Sequence, residues 1–164
     1  LANLHRPSNV DAPERLARLV RVLSTIGERL PVVFPVHPRT RARLEAAAVP
    51  LTELPARGIL LSEPLGYLDF LQLEDSAAVV ITDSGGVQEE TTALGVPCLT
   101  VRDNTERPIT ITCGTNKLVG SNPAVLPGEV DAVLSGQTRR GKVPELWDGK
   151  AGERAAAAIR RFLS

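Results

Sequence analysis

TDSGGVQEE, residues 82–90, lies between an apolar run at 77–81 that reads as a buried strand and Thr91, Ala93 and Leu94, which continue as a helix. Two adjacent glycines at a helix start cost stability relative to alanine, so their presence points to backbone N–H groups that something must approach closely. Unpaired amides and the positive end of the helix dipole converge there, which makes an anion the expected visitor and Gly85 and Gly86 its access. The plainer reading is a capped helix, with Ser84 or Asp83 as the cap and Glu89 and Glu90 placed in the first turns, where carboxylates are favoured. Capping alone does not require both glycines. Glu89 and Glu90 stand about 100° apart around a helix, so one of them faces a ligand and the other faces solvent.

Outward from this segment the chain alternates apolar runs with amphipathic stretches. Leu1–Leu4 reads as a strand, followed by a polar loop at residues 5–11. Asp11 is expected to cap a helix carrying Pro13 in its first turn and a stripe of Leu16, Leu19, Val20, Leu23 and Ile26. Strands are expected at 31–36, 59–62, 78–82, 97–101 and, briefly, 117–119. Helices are expected at 39–48, 67–75, from the SGG segment to Leu94 with Gly95 as a left-handed cap, at 129–134 and at 153–163. The last carries Ala155, Ile159, Phe162 and Leu163 on one face, and residues 136–142 read as an exposed turn. Continuous apolar strands alternating with helices define an α/β fold, a Rossmann-like parallel sheet with helices on both faces.

Composition narrows the classes. The chain has 164 residues, enough for one domain, and 43% of them are apolar, enough for a core. Net charge is zero with scattered basic residues, unlike a nucleic-acid binder, and the apolar runs are too short to span a bilayer. Without a secretory pattern the expected compartment is the cytoplasm. Two cysteines and two histidines provide neither a disulfide framework nor metal-ligand spacing. A buried strand opening the chain at Leu1 reads as a piece cut from something longer.

In a parallel sheet, ligands sit beyond the carboxyl ends of the strands. His5, His37, residues 64–70, 84–86 and 102–107 all follow strands and are expected to converge on one crevice. His5, Arg6, Arg102 and Arg107 are the candidates for compensating a phosphate at residues 84–86. No phosphate loop ending in Gly-Lys-Ser/Thr and no GxGxxG is present, which excludes an ATPase or dinucleotide-binding half and favours a diphosphate with a short attachment. Glu90 can accept two hydrogen bonds from vicinal ribose hydroxyls. Each candidate also has an ordinary role: His5 bonding a backbone carbonyl, Arg107 in a surface pair with Glu106, Phe70 in the core, and His37 ending its strand.

Eight segments together are similar to the non-hydrolysing UDP-N-acetylglucosamine 2-epimerases: LHRPSN (4–9), PVHPRT (35–40), PLGYLDF (64–70), TDSGGVQEE (82–90), LGVP (94–97), TERP (105–108), GTNKLVG (114–120) and LWDGKAGERAA (146–156). The resemblance covers nearly the whole chain and implies one lobe, the carboxyl-terminal UDP-binding one (residues 1–164), of a two-domain GT-B-type fold. The amino-terminal lobe is then absent, and the helix at 153–163 is expected to pack toward it. The implied reaction is elimination of UDP to a 2-acetamidoglucal followed by re-addition, which interconverts UDP-N-acetylglucosamine and UDP-N-acetylmannosamine without a redox cofactor or a metal.

By the same resemblance His5 is the catalytic residue of this lobe. Ser84, Gly85 and Gly86 bind phosphate through their amides, Glu90 holds the ribose, Arg107 pairs with phosphate, and Phe70 with the backbone near Leu65 borders the uracil. His37 corresponds to a residue used by some bacterial members for allosteric activation. The complete enzyme is expected to be a homodimer. This chain departs from many members in reading HRPSN for HRREN and in carrying Ile109 and Thr110 after TERP. The proton-moving carboxylates of the family belong to the other lobe. Three other readings stand beside this one: a donor lobe of a GT-B UDP-sugar glycosyltransferase, a hydrolysing epimerase, and a nucleotide-binding module without catalysis.

Overall fold

The structure, a computed structural model, describes residues 1–138 and 140–163. Among the described residues there are six strands: β1 (Ala2–Asn3), β2 (Val32–Pro35), β3 (Ile59–Ser62), β4 (Val80–Thr82), β5 (Cys98–Thr100) and β6 (Asn116–Leu118). Between and after them run α1 (Pro7–Val10), α2 (Pro13–Gly27), α3 (Pro38–Ala46), α4 (Tyr67–Asp75), α5 (Gly85–Leu94), α6 (Pro108–Thr112), α7 (Leu126–Leu134) and α8 (Ala151–Leu163). Strands β1, β4, β5 and β6 pair in that order, all parallel, and β2 pairs parallel with β3. β2 also lies against β1 without a ladder between them, so the spatial order is 3-2-1-4-5-6, that of Rossmann-type sheets. The strand order reverses between β1 and β4, the position at which sheets of this kind take their ligands.

Alternation along the strands divides the core. Val79, Ile81, Leu99 and Val101 face one side, where the α2 stripe Leu16, Leu19, Val20, Leu23 and Ile26 and the α7 residues Leu126 and Val130 cover them. Val80 faces the other side and meets Val87 and Val96, with Phe70 and Leu94 partly buried around them. Helices therefore cover both faces, as continuous apolar strands require. The α2 stripe predicted from sequence is the largest single contribution to the core.

Several local expectations are corrected by the structure. Asp11 does not cap α2, whose N-cap is Ala12 without a side-chain bond. Its carboxylate instead meets Arg39 at 2.6 Å and Arg43 at 3.3 Å, tying α3 to the α1–α2 junction. Residues 7–10 coil into α1 because Pro7 sits at a first helical position and Val10 and Asn9 are pulled inside. Residues 108–112 form α6, again opening on a proline. Arg139, within the turn expected at 136–142, lies outside the described residues.

Gly27 ends α2 against Gly58, which precedes β3 with φ +72°. A Cβ on Gly27 would run into the Arg57 and Gly58 backbone, and one on Gly58 into the Gly27 carbonyl. Alanine at either position is expected to lower stability by about 2–3 kcal/mol, because backbone cannot yield as a side chain can. The readout is a lower urea midpoint at unchanged m-value. An unchanged midpoint would contradict the close approach.

Candidate functional site

The parallel register sets Asn3 opposite Thr82 and Thr82 opposite Thr100, which in turn faces Leu118. The loops leaving β1, β4 and β5 therefore emerge side by side, carrying His5, residues 83–86 and residues 101–107 to one edge. Asp83, fully buried, is the hub of this edge. Its carboxylate accepts from His5 N at 3.1 Å, Arg6 N at 3.0 Å and Asn9 Nδ2 at 3.0 Å, and His5 Nδ1 lies 3.3 Å away. Asn9 completes its own set by donating to Val101 O and accepting from Arg15. Asp83 is thus occupied by the β1–α1 turn and does not cap α5.

Ser84, the N-cap of α5, has extended backbone and no side-chain capping bond. Its amide donates to Thr82 Oγ1 at 3.0 Å, so the hydroxyl, rather than the N–H, is the group Ser84 has to offer. A Cβ on Gly85 would meet no protein atom, and one on Gly86 only Ser84 Oγ at 3.9 Å. Neither glycine has a positive φ. Packing and backbone conformation therefore leave both unexplained, and what remains is the room they make for something outside the chain. First-turn amides lack intrahelical acceptors and carry the positive end of the α5 dipole.

Behind α5 lies a polar network that sequence reasoning did not find. Gln88, fully buried, donates to Ser84 O and accepts from Thr105 Oγ1 at 2.5 Å and Asn116 Nδ2 at 3.1 Å. Asn116 also donates to Thr110 Oγ1 and accepts from Thr100 Oγ1 at 2.6 Å. Thr105 Oγ1 accepts from the Arg107 amide. The loop carrying Arg107 is consequently fastened to the start of α5 through buried amides. Their only sequence signal is a Gln and an Asn beside threonines, which looks the same as a surface pattern.

The basic candidates differ in availability. Arg102 is 8% exposed and grips both oxygens of Glu106 at 2.8 Å, with Arg6 3.6 Å from the same carboxylate. The Arg102 bonds hold the Glu106 carboxyl down at about 2. Arg107 does not pair with the Glu106 carboxylate. Its Nε lies 2.8 Å from Glu89 Oε1, but the N–H is not aimed at that oxygen, so the contact is an ion pair without a hydrogen bond. Glu89 is therefore turned toward Arg107, and Glu90 toward α4.

On α4, Tyr67 and Glu74 face the Glu90 carboxyl, and Glu74 is 0% exposed with neither oxygen hydrogen-bonded to a described donor. Burial first, then the charge of Glu90, push the Glu74 carboxyl up to about 8, and burial also raises Glu90. Phe70 packs partly buried against the small core of Val80, Val87 and Val96, while Leu65, Tyr67 and Leu68 stay exposed at the strand carboxyl edge. His37 caps α3 by accepting from Arg39 N at 3.2 Å, and its ring lies 6.0 Å from that of His5.

A cavity of about 280 Å³ lined by Arg6, Ser8, Asn9, Arg15 and Arg102 opens on the same edge. A wider one, about 820 Å³, lies against β6 and α7 and holds none of the candidate residues. The wider cavity is lined by neither the α5 first-turn amides nor the loops that follow β1, β4 and β5. Among the described residues, no group of three or more His, Cys, Asp or Glu side chains is placed to hold a metal ion.

Comparison with known proteins places this geometry. The family model described as UDP-N-acetylglucosamine 2-epimerase matches residues 1–160. The UDP-N-acetylglucosamine 2-epimerase of Methanocaldococcus jannaschii is 45% identical over 94% of this chain and 42% of its own length. The Pseudomonas aeruginosa UDP-2,3-diacetamido-2,3-dideoxy-D-glucuronate 2-epimerase is 38% identical over 100% of this chain and 44% of its own. The crystal structure of the M. jannaschii enzyme in complex with UDP-GlcNAc and UDP matches with a TM-score of 0.86 at 42% identity, over 98% of this chain and 44% of that one. The chain spans less than half the length of the relatives it matches, and it matches their carboxyl-terminal part. Those neighbours have a GT-B-type fold, of which the α/β unit described above corresponds to one lobe. With a family model matched from Leu1 to residue 160, well into the last helix, this chain belongs to the UDP-N-acetylglucosamine 2-epimerase family.

Proposed function

We propose that this chain is the UDP-binding half of a UDP-N-acetylglucosamine 2-epimerase, an isomerase acting by elimination and re-addition of UDP. The observation that carries the reading is the pair Gly85 and Gly86, whose missing side chains serve nothing inside the protein. Their amides, with the Ser84 hydroxyl, receive the diphosphate, and Arg107 adds charge. Glu90 accepts the ribose hydroxyls, and the surface from Leu65 to Phe70 borders the uracil. His5, fixed by the hydrogen bond that its backbone N–H donates to the Asp83 carboxylate, stands at the diphosphate where negative charge develops as UDP departs. The helix dipole and amides stabilise that leaving group without reorganising.

The proton-moving groups are assigned to the remainder of a longer protein, because the chain covers only 42% of the M. jannaschii relative. The exposed row Ile159, Phe162 and Leu163 on α8 fits packing against that remainder. In this reading the complete enzyme is a homodimer, with His37 next to His5 as the place where a second UDP-sugar acts. The cytoplasm is its compartment, in keeping with two free cysteines. No helix among the described residues is long and apolar enough to cross a membrane. A second reading keeps UDP and changes the sugar, since the P. aeruginosa relative is named for a diacetamido-glucuronate.

Calorimetric titration tests the binding half of this proposal. UDP is expected to saturate the purified chain, and ADP to give no heat at the same concentrations. Incubation of the chain alone with UDP-N-acetylglucosamine is expected to yield no UDP-N-acetylmannosamine. Binding of ADP as tight as that of UDP would sink the uridine assignment, and measurable epimerisation would sink the division of labour.

A further inference from the structure

Among the described residues, Glu74 is the one buried carboxyl side chain that the site leaves unused. It sits on α4 at 0% exposure, and neither of its oxygens accepts a hydrogen bond from any described donor. An ionised carboxylate with no donor in such a place is costly. The titratable groups facing Glu74 are Glu90 on α5 and Cys98 on β5, and Glu90 in turn is faced by Glu89 on α5 and Tyr67 on α4. No lysine or arginine among the described residues acts on Glu74. Two carboxyls in contact without a cation are accommodated by one shared proton.

We propose that Glu74 keeps a proton and donates it in a hydrogen bond to Glu90, so that Glu74 is a positioning residue that aims the Glu90 carboxylate at the ribose of a UDP ligand. This rests on the reading of Glu90 as the ribose acceptor. A carboxylate has about four lone-pair sites, and a donor from Glu74 occupies one on the side toward α4, where Tyr67 also lies, leaving others for two vicinal hydroxyls. When the proton is lost the two charges repel, and Glu90 is driven from that orientation.

The test compares UDP with 2′,3′-dideoxy-UDP, which has the same base and diphosphate and lacks the hydroxyls. In the unmodified chain the preference for UDP is expected to fall roughly tenfold between about pH 6.5 and about pH 9, as expected when a bond to a charged group is lost. Glu74→Gln, a neutral donor at every pH, is expected to keep the preference at the upper end of that range, and Glu74→Leu to lower it already at the lower end. A preference for UDP that is the same across the range, in the unmodified chain and in both variants, overturns the proposal and leaves the ribose role of Glu90 standing. Equal affinity for the two nucleotides at every pH removes Glu90 from the ribose and overturns both. The profile of the unmodified chain decides the matter even where a variant fails to fold.

Discussion

Alanine at Gly86 is expected to make the protein slightly more stable and to weaken UDP binding by roughly 10–100-fold. The two effects come from the same absent atom. Inside the protein a Cβ at this position would meet only Ser84 Oγ at 3.9 Å, an ordinary contact, so nothing is overpacked. Alanine also restricts the unfolded chain, which raises stability by roughly 0.5 kcal/mol and the melting temperature by about 1–2 °C. On the proposed reading, the same methyl stands outside the protein where a phosphate comes within hydrogen-bond distance of the amides. Displacing a diphosphate by a few tenths of an ångström costs about 1–3 kcal/mol, as overpacking does elsewhere. Calorimetry with UDP and a thermal melt of the same sample read both quantities. A Gly86→Ala chain that binds UDP as the unmodified one does would remove the anion site from α5.

The second large effect is at Asp83. Asp83→Ala is expected to destabilise the chain by about 3 kcal/mol, lowering the melting temperature by roughly 6–12 °C. Its carboxylate serves the amides of His5 and Arg6 and the side chain of Asn9, all at the start of α1, and it is completely enclosed. Truncation leaves those donors without an acceptor, and each buried unpaired donor costs about 1–3 kcal/mol. Solvent entering the gap recovers part of that. UDP affinity is expected to fall as well, since His5 and Arg6 lose the group that fixes their backbone. Asp83→Asn keeps the shape but offers an N–H₂ where acceptors are needed, so its melting temperature is expected between those of the alanine variant and the unmodified chain. An alanine variant melting with the parent would show that the β1–α1 turn is held by something else.

These two positions also mark how far the sequence could be read. Gly85 and Gly86 were legible because glycine at a helix start is anomalous on local grounds, and the local environment keeps them unexplained by the fold. Asp83, one residue from Ser84, offered only a capping role in sequence, since its actual partners are more than seventy residues away along the chain. The partners of the charged residues were misassigned for another reason, adjacency in sequence being taken for contact. Glu106 was set beside Arg107 and belongs to Arg102, while Arg107 belongs to Glu89. The tethering of the Arg107 loop by Gln88 and Asn116 was invisible, because a buried amide and an exposed one are written with the same letters.

What the sequence determined by itself is the α/β alternation, the level edge at which the candidate loops meet, the α2 stripe and the family. Each depends on periodicity, on glycine and proline, or on ordered motifs, which are properties of residues near one another in the chain. What only the tertiary structure decided is the break between β1 and β2, the partners of buried polar groups such as Asp83 and Gln88, and the meeting of Glu74 with Glu90. These depend on burial, and burial is set by which segments pack together after the chain has closed on itself.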